Sequence, residues 1–410
     1  MLQLKWESYK AKNGELALML NGYQLYSKYK PKESAFNWIQ SEFDENAEEY
    51  ILIGLGLGYH LEYLLKYAGN KKIYVYYFDE IELRLFEEKG NSELIQLENV
   101  KLIKKVTGIR MDENIQILIP NAWIKAIGEN HPLNNILEII KINQMSYNRS
   151  KKLMYSNFQL NILNESEIIQ YSNSRKIGCL IAAGPSLDLT ILWLKEHQGV
   201  VDIFVVGAAL KTVLTYGILP TGVVISDASD LIQKQFEGLN YEGPLYYLST
   251  ANNATVKFLN GPKYILYQRG FIPAENEAIK RNSPLLDTGG SVGTVTFSLM
   301  EKLGYRKIVL FGQDLGFPNN QTHSEMSSSN VKMNANNIKR KIKANDGSMI
   351  NTNLMLYSFW NWYEEKCKQG NLKVYNTAVQ GAKVSNVELI NEDIFNRLIK
   401  ENIEENGDFI

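Results

Sequence analysis

The sequence predicts an α/β protein of two units, each built on a parallel sheet, the second of them doubly wound. Three observations predict it. Short apolar runs alternate with helical patterns from Glu49 to about Glu138. A second alternating series starts at residue 177 and continues to about residue 375. The runs in both series are bounded by turns and lack polar alternation, as in strands buried on both faces and joined by helical crossovers. At 410 residues the chain also exceeds one ordinary domain.

Residues 1–48 read as a strand or two and then a helix. Pro31 suits the first helical turn, because the N–H it lacks has no partner there. Candidate strands follow at 50–54, 73–78, 101–106 and 115–119. The first runs into a glycine turn (Gly54, Gly56, Gly58) and a helix, and the second ends at Asp79 and Glu80. That is the outline of a Rossmann-like unit, with the acidic pair where a ribose-binding carboxylate belongs. Leu55, Leu57 and Tyr59 fit close strand–helix packing equally well, and no catalytic set follows in this half. Residues 139–171 contain neither proline nor glycine and predict a long connecting helix. The expected organisation is an amino-terminal Rossmann-like domain over 1–138, a connector over 139–175, a second α/β domain over 176–400 and a tail over 401–410.

Composition excludes several classes. The chain is 45% hydrophobic and 22% charged, as soluble globular proteins are, and no apolar run approaches the ~18 residues of a membrane span. The start, "MLQLKWESYK", lacks the apolar core of a signal peptide. Two cysteines, Cys179 and Cys367, make neither a disulfide framework nor a cysteine-rich zinc site, so a cytoplasmic home is expected. A net charge of −1 argues against a broad nucleic-acid surface. The local basic run "NNIKRKIK" (336–343) reads as a solvated helix face.

The second series predicts strands near 177–183, 202–207, 221–226, 245–249, 263–267, 306–312 and 371–375. Open parallel sheets bind ligands beyond the carboxyl ends of their strands. After the first comes "AGPSLD", where Gly184 permits a turn and Pro185 and Ser186 start a helix whose free N–H groups suit a phosphate; a capped turn with no ligand fits as well. After the third comes "SDASD", whose Asp227 and Asp230 suit a ribose, a metal or helix capping. Asn252 and Asn253, after the fourth, suit a base edge or a turn. Gly289, Gly290 and Gly293 surround Ser291 at a helix start, where a ligand can lie against main-chain N–H groups. Gln313 and Asp314 follow an apolar strand and need partners. The polar stretch beyond them, 318–336, fits a mobile lid, and it carries His323. Among the four histidines His323 is the best placed as a base working near neutral pH; His60 follows the first glycine cluster, and His131 and His197 lie in polar segments.

Other chemistries find less support. No GxxxxGK[ST] loop or HExxH is present, and a D-x-D metal clamp is missing too. "GGSVG" matches the GxSxG elbow in letters, but "NSPLLDT" before it is a poor strand.

Taken in order, "AAGPSLD", "VVISDAS", "DTGGSVG", "LGYRKIVLFGQDLGF" and "THS" resemble the central domain of bacterial motility accessory factors. That domain is shared with the MptE-like 6-hydroxymethylpterin diphosphokinases and is similar in fold to bacterial sialyltransferases that use CMP-sugars. "YSKYKPKESA", "LIGLGLGYHLEYLL", "NDGSMINTNLMLYSFWNWYEE" and "VYNTAVQGAKV" extend the resemblance over most of the chain. It implies an inverting, metal-independent transfer of a nonulosonic acid of pseudaminic or legionaminic type from a CMP-activated donor to flagellin Ser or Thr. Under it Gly184, Pro185 and Ser186 contact the CMP phosphate or ribose, and Ser226 or Asp227 lies by the nucleotide, with Asn252 nearby. Gly290, Ser291 and Gly293 line its other side, Gln313 and Asp314 shape the floor, and His323 takes the acceptor's proton. No cofactor is implied, because the CMP-sugar is a co-substrate.

Two departures stand out. "GAAL" (207–210) occupies a place where sialyltransferases often carry Asn, and the helical carboxyl-terminal domain of longer motility accessory factors is not evident. Two other readings stay open. One is a diphosphokinase moving diphosphate from ATP to a pterin alcohol, with Mg²⁺ on Asp227 and Asp230. The other is a non-enzymatic flagellin-binding assembly factor. Donor sugar, acceptor positions and oligomeric state are left open.

Overall fold

The computed structural model describes residues 4–104, 114–128, 131–171, 174–327, 329–331, 340–368, 370 and 372–406. The chain divides into two compact units, Met1–Gln144 and Met145–Ile410.

The first unit opens with β1 (Trp6–Lys10), β2 (Leu16–Leu20) and β3 (Tyr23–Gln24), an antiparallel sheet in chain order, and then α1 (Pro31–Glu42). Pro31 stands at the start of α1, as its ring geometry favours. Next come β4 (Glu49–Ile53), α2 (Tyr59–Ala68), β5 (Lys72–Tyr76), α3 (Glu80–Lys89), β6 (Val100–Ile103), β7 (Ile115–Leu118) and α4 (Asn121–Ile127). The four strands make a parallel sheet in the order β6-β5-β4-β7. Positions 105 and 106 of the third expected strand lie outside the described residues. Apolar residues on the two faces of β4 enter separate cores, Ile51 and Ile53 in one and Tyr50 and Leu52 in the other.

The long helix α5 runs over Pro132–Asn161, earlier than the expected 139–171 at both ends. Proline is tolerated at its first position, so the absence of proline was too strict a criterion for where it begins. Leu137 and Ile140 pack in the first unit's core and Phe158 in a core of the second unit.

The second unit contains β8 (Glu167–Ile168), β9 (Gly178–Ile181), α6 (Leu187–Thr190), α7 (Leu192–Lys195), β10 (Asp202–Val206), α8 (Leu210–Thr215), β11 (Gly222–Ile225) and β12 (Leu245–Leu248). It continues with α9 (Asn253–Phe258), β13 (Lys263–Gln268), α10 (Ile272–Arg281), β14 (Leu285–Leu286), α11 (Val292–Leu303) and β15 (Lys307–Phe311). Last come β16 (Arg340–Lys343), β17 (Met349–Thr352), α12 (Leu354–Lys368), β18 (Lys373–Asn376), β19 (Val387–Leu389) and α13 (Glu392–Asn406). The main sheet has the order β14-β13-β12-β11-β10-β9-β15-β18-β19, with β8 beside β13. Every pairing in it is parallel. Alternate residues face opposite cores: Cys179, Ile181, Val205 and Val223 on one side, Leu180, Ala182, Phe204 and Val224 on the other. Two cores on one sheet are what a doubly wound fold requires.

Two expectations change. Residues 340–343 of the basic run form β16, paired antiparallel with β17, and not a helix face. Ile342 is buried between exposed lysines, a period of two that helical burial does not give; positions 336–339 lie outside the described residues. The expected tail is helical as far as residue 406, continuous with α13, whose Phe395 and Ile399 are core residues; positions 407–410 lie outside the described residues. None of the described helices is long and apolar enough to cross a membrane.

Candidate functional site

From β9 the chain adds strands in one direction as far as β14, then crosses back to place β15 on the other side of β9. The strand order therefore reverses between β9 and β15, and ligands of open α/β sheets bind beyond the carboxyl ends of such a pair. The two loops at this edge are 182–186 and 312–317, which carry Gly184, Pro185, Ser186, Gln313 and Asp314.

The two loops cross at contact distance. Gly184 N–H donates to the Gly312 carbonyl at 2.8 Å. A Cβ on Gly184 would overlap both that oxygen and the Asp314 carboxylate, and one on Gly312 would overlap the Ala182 carbonyl. Gly312 also has φ of +63°, so only glycine sits there without strain. Asp314 is buried, and its Oδ2 accepts from Ser186 N–H at 3.2 Å and from the Ser186 hydroxyl at 2.9 Å. Its Oδ1 is buried without a hydrogen-bond partner. Burial pushes the Asp314 carboxyl up to about 6, the Ser186 bonds opposing and nearby Asp188 adding to the rise. The next residue, Leu315, lies in left-handed backbone at φ +53°, where a bulky side chain costs energy. It is held there by neighbours: Ala382 N–H donates to the Asp314 carbonyl at 2.7 Å and the Thr352 hydroxyl to the Leu315 carbonyl at 3.2 Å.

The helix expected after Ser186 is a four-residue piece, α6, followed by the equally short α7. The N–H and hydroxyl that suit a phosphate at this turn have an acceptor within the protein, Asp314.

His323 lies beside this edge. Ser324 N–H donates to the Ala183 carbonyl at 2.9 Å, which brings His323 within one residue of the 182–186 turn. Glu325 N–H donates to Asp188 Oδ2 at 2.9 Å, the Ser327 hydroxyl to the Ala208 carbonyl at 3.0 Å, and Thr322 and Val331 bond to each other. The described part of the stretch expected to be a mobile lid is therefore pinned across the loops after β9 and β10. Backbone N–H groups of Ser324 and Glu325 and the hydroxyls of Thr322 and Ser327 have fixed partners there, which a reading from composition cannot foresee; positions 328 and 332–336 lie outside the described residues. The His323 ring is half-buried with a buried, unpartnered Nδ1, and burial lowers its pKa against a weaker opposing bond with the Ser329 backbone.

On the α11 side, Gly293 abuts Gln313, since a Cβ on it would press on the Gln313 side-chain oxygen. Gln313 also accepts from the Tyr363 hydroxyl at 3.4 Å. Ser291 caps α11 in a reciprocal box with Thr294, and Gly290 has φ of +89°. The structure thus joins Gly293 to Gln313, and Ser186 and Gly184 to Asp314.

Ser226, Asp227 and Asn252 lie farther along the same edge, after β11 and β12. Asp227 is exposed and accepts from Ser229 N–H at 2.9 Å, a turn-capping role; Asp230 is exposed as well. Asn252 caps α9 by accepting from Thr255 N–H and hydroxyl, both at 2.9 Å, and its own N–H donates to the Asp227 carbonyl at 2.8 Å. Sequence reading missed the support beneath these loops. Asn157 and Asn161 of α5 bond to the strand-end carbonyls, and Gln268 of β13 links the hydroxyls of Ser249 and Thr250. A pair of asparagines at i and i+4 on one helix face was the available signal.

The first unit's glycine turn is filled by its own protein. A Cβ on Gly54 would overlap Trp123, on Gly56 the Tyr26 hydroxyl, and on Gly58 the Phe86 ring. The Tyr26 hydroxyl accepts from Leu57 N–H at 3.0 Å. Glu82, fully buried on α3, accepts from Gly56 N–H at 2.7 Å and Phe78 N–H at 2.6 Å, and burial pushes its carboxyl up to about 8. Of the acidic pair expected to hold a ribose, Asp79 caps α3 and takes the Trp6 indole N–H at 3.0 Å, and Glu80 pairs with Lys104 at the surface. His60 is buried between Tyr26 and Trp38, its pKa lowered to about 3 by burial.

The class these features define is a doubly wound α/β fold with its polar loops gathered at the switch point. Comparisons narrow it. The family model for "6-hydroxymethylpterin diphosphokinase MptE-like" matches residues 152–320, which contain all the candidate site residues except His323. Among solved structures, the Maf glycosyltransferase from Magnetospirillum magneticum AMB-1 aligns with TM-score 0.54 over 98% of this chain and 74% of its own, at 14% identity. No curated protein matches. Residues 152–320 are therefore similar to an MptE-like domain, and the chain shares its fold with a Maf glycosyltransferase, in agreement with the resemblance found in its motifs.

Proposed function

We propose that the chain is a cytoplasmic, inverting glycosyltransferase that moves a nonulosonic acid from a CMP-activated donor to Ser or Thr hydroxyls of flagellin. One observation carries the reading: His323, with an unbonded ring nitrogen, stands beside the turn at the reversal of strand order. The likeness in fold to a Maf glycosyltransferase supports it. Because burial lowers its pKa, the His323 ring is neutral near pH 7 and able to accept a proton. In the reaction the acceptor oxygen bonds to the anomeric carbon and its proton passes to His323. The bond from that carbon to the phosphate oxygen breaks, its electron pair leaving with CMP. Asn252, Ser226 and Asp227 face the nucleoside, while Gly290, Ser291, Gly293 and Gln313 line the other side. Departure is assisted by protein groups, and no metal or cofactor enters this scheme. Intact-mass analysis of flagellin from a strain that makes the CMP-sugar, with and without this protein, tests the reading. An unchanged mass refutes it.

A second reading rests on the name of the matched family and on the two exposed carboxylates after β11, Asp227 and Asp230. It is a diphosphokinase using ATP, Mg²⁺ and a pterin alcohol, and release of AMP with that acceptor distinguishes it.

A further inference from the structure

Asn157 and Asn161 lie one helical turn apart near the end of α5, both buried. Their donors go to backbone carbonyls at the ends of two neighbouring strands. Asn157 Nδ2 donates to Ala228 at 2.9 Å and Thr250 at 3.4 Å, and Asn161 Nδ2 to Ser249 at 3.0 Å and Ala251 at 2.7 Å. Their acceptors take Asn253: its N–H reaches Asn157 Oδ1 at 3.2 Å and its side-chain amide reaches Asn161 Oδ1 at 2.8 Å. The residue inside this frame is Asn252. Its side-chain oxygen and its N–H are both engaged, which fixes the direction of the amide, and its Nδ2 bonds to none of the described residues. Such a fixed, uncommitted donor suits an acceptor atom on a nucleobase edge.

We propose that Asn157 and Asn161 are positioning residues, holding loop 249–253 so that Asn252 presents its free N–H₂ to a pyrimidine nucleotide. The inference rests on the functional reading above. A helix donating amides to strand-end carbonyls replaces water there, so the loop keeps its shape when a ligand arrives and little ordering cost falls on binding. Neither side chain needs to touch the nucleotide.

The test is CMP binding by calorimetry, well below the melting temperature, for wild type, N157A, N161A and the double variant, with G199A, whose Cβ meets nothing within 4 Å, as a control. The expected result is a Kd raised about tenfold or more in the double variant, the order of one lost hydrogen bond, with G199A near wild type. Should the double variant not fold, the single variants decide. A lowered melting temperature with unchanged CMP affinity refutes the inference, because a purely structural role predicts that pattern. If wild type itself binds no CMP, the functional reading fails instead. Hydrogen exchange of amides 250–253 then judges the positioning alone: unchanged exchange in N161A overturns it.

Discussion

Replacing Asp314 by Asn isolates one buried charge. The carboxyl is fully enclosed, one oxygen bonded to Ser186 and the other without a partner, and burial sets its folded pKa at about 6. An unfolded aspartate titrates near about 3.9, so the shift is roughly two units, or about 3 kcal/mol at its limit. The fold favours the neutral acid. Its contribution is therefore complete below the unfolded pKa and is lost as pH rises through about 6. The amide introduced by D314N keeps an oxygen for the Ser186 N–H and hydroxyl but has no proton to gain. Between about pH 7 and about pH 4, wild type should gain roughly 2 kcal/mol over D314N in unfolding free energy. Urea unfolding of both proteins at a series of pH values measures this difference, and the titrations they share cancel. Stability curves that run parallel over this range would show that Asp314 titrates alike folded and unfolded, and the account of a desolvated acid would be wrong.

In the first unit, E82A leaves the Gly56 and Phe78 N–H groups buried without acceptors and should cost roughly 2–5 kcal/mol. E82Q should cost less and abolish the stability that wild type loses as pH rises through about 8; urea unfolding at two pH values checks both. In the second unit, G184A drives a methyl into Asp314 and the Gly312 carbonyl and should lower stability by roughly 1–3 kcal/mol and weaken CMP binding. The control G199A, whose Cβ meets nothing within 4 Å, should behave as wild type in the same melting and calorimetric assays.

The strands were legible because burial on both faces leaves an uninterrupted apolar run. β4, β10 and β15 each fall within a residue of the expected bounds. Strand order was not legible, since the return of β15 to the side of β9 is set by pairing across more than a hundred residues of chain. Without that order, Gly184 and Asp314 were separate motifs; with it, they touch. Some roles had signals that were outweighed. Ser291 followed by Thr294 is a capping-box spacing, yet the surrounding glycines drew the reading toward a ligand. Glu82 lies two residues past the acids expected to hold a ribose, on the opposite side of a helix start, where a charged residue is ordinarily placed in solvent. Asn157 and Asn161 were not singled out, because nothing local shows that strand ends lie against that face of the helix.

Both units answer the same physical problem in the same way. A glycine turn at the end of a parallel strand leaves N–H groups that need an acceptor. In the first unit the Glu82 carboxyl supplies it, while Trp123, Tyr26 and Phe86 fill the space a cofactor would need. In the second unit Asp314 supplies it to Ser186. A ligand phosphate at Ser186 would compete with a carboxylate already bonded there, and two anions on one pair of donors repel unless one is protonated. The glycine turn alone therefore does not mark a phosphate site in either unit. What sets the second apart is its surroundings: a neutral histidine with an unbonded nitrogen on one side, and on the other an asparagine whose donor is held in place and left free.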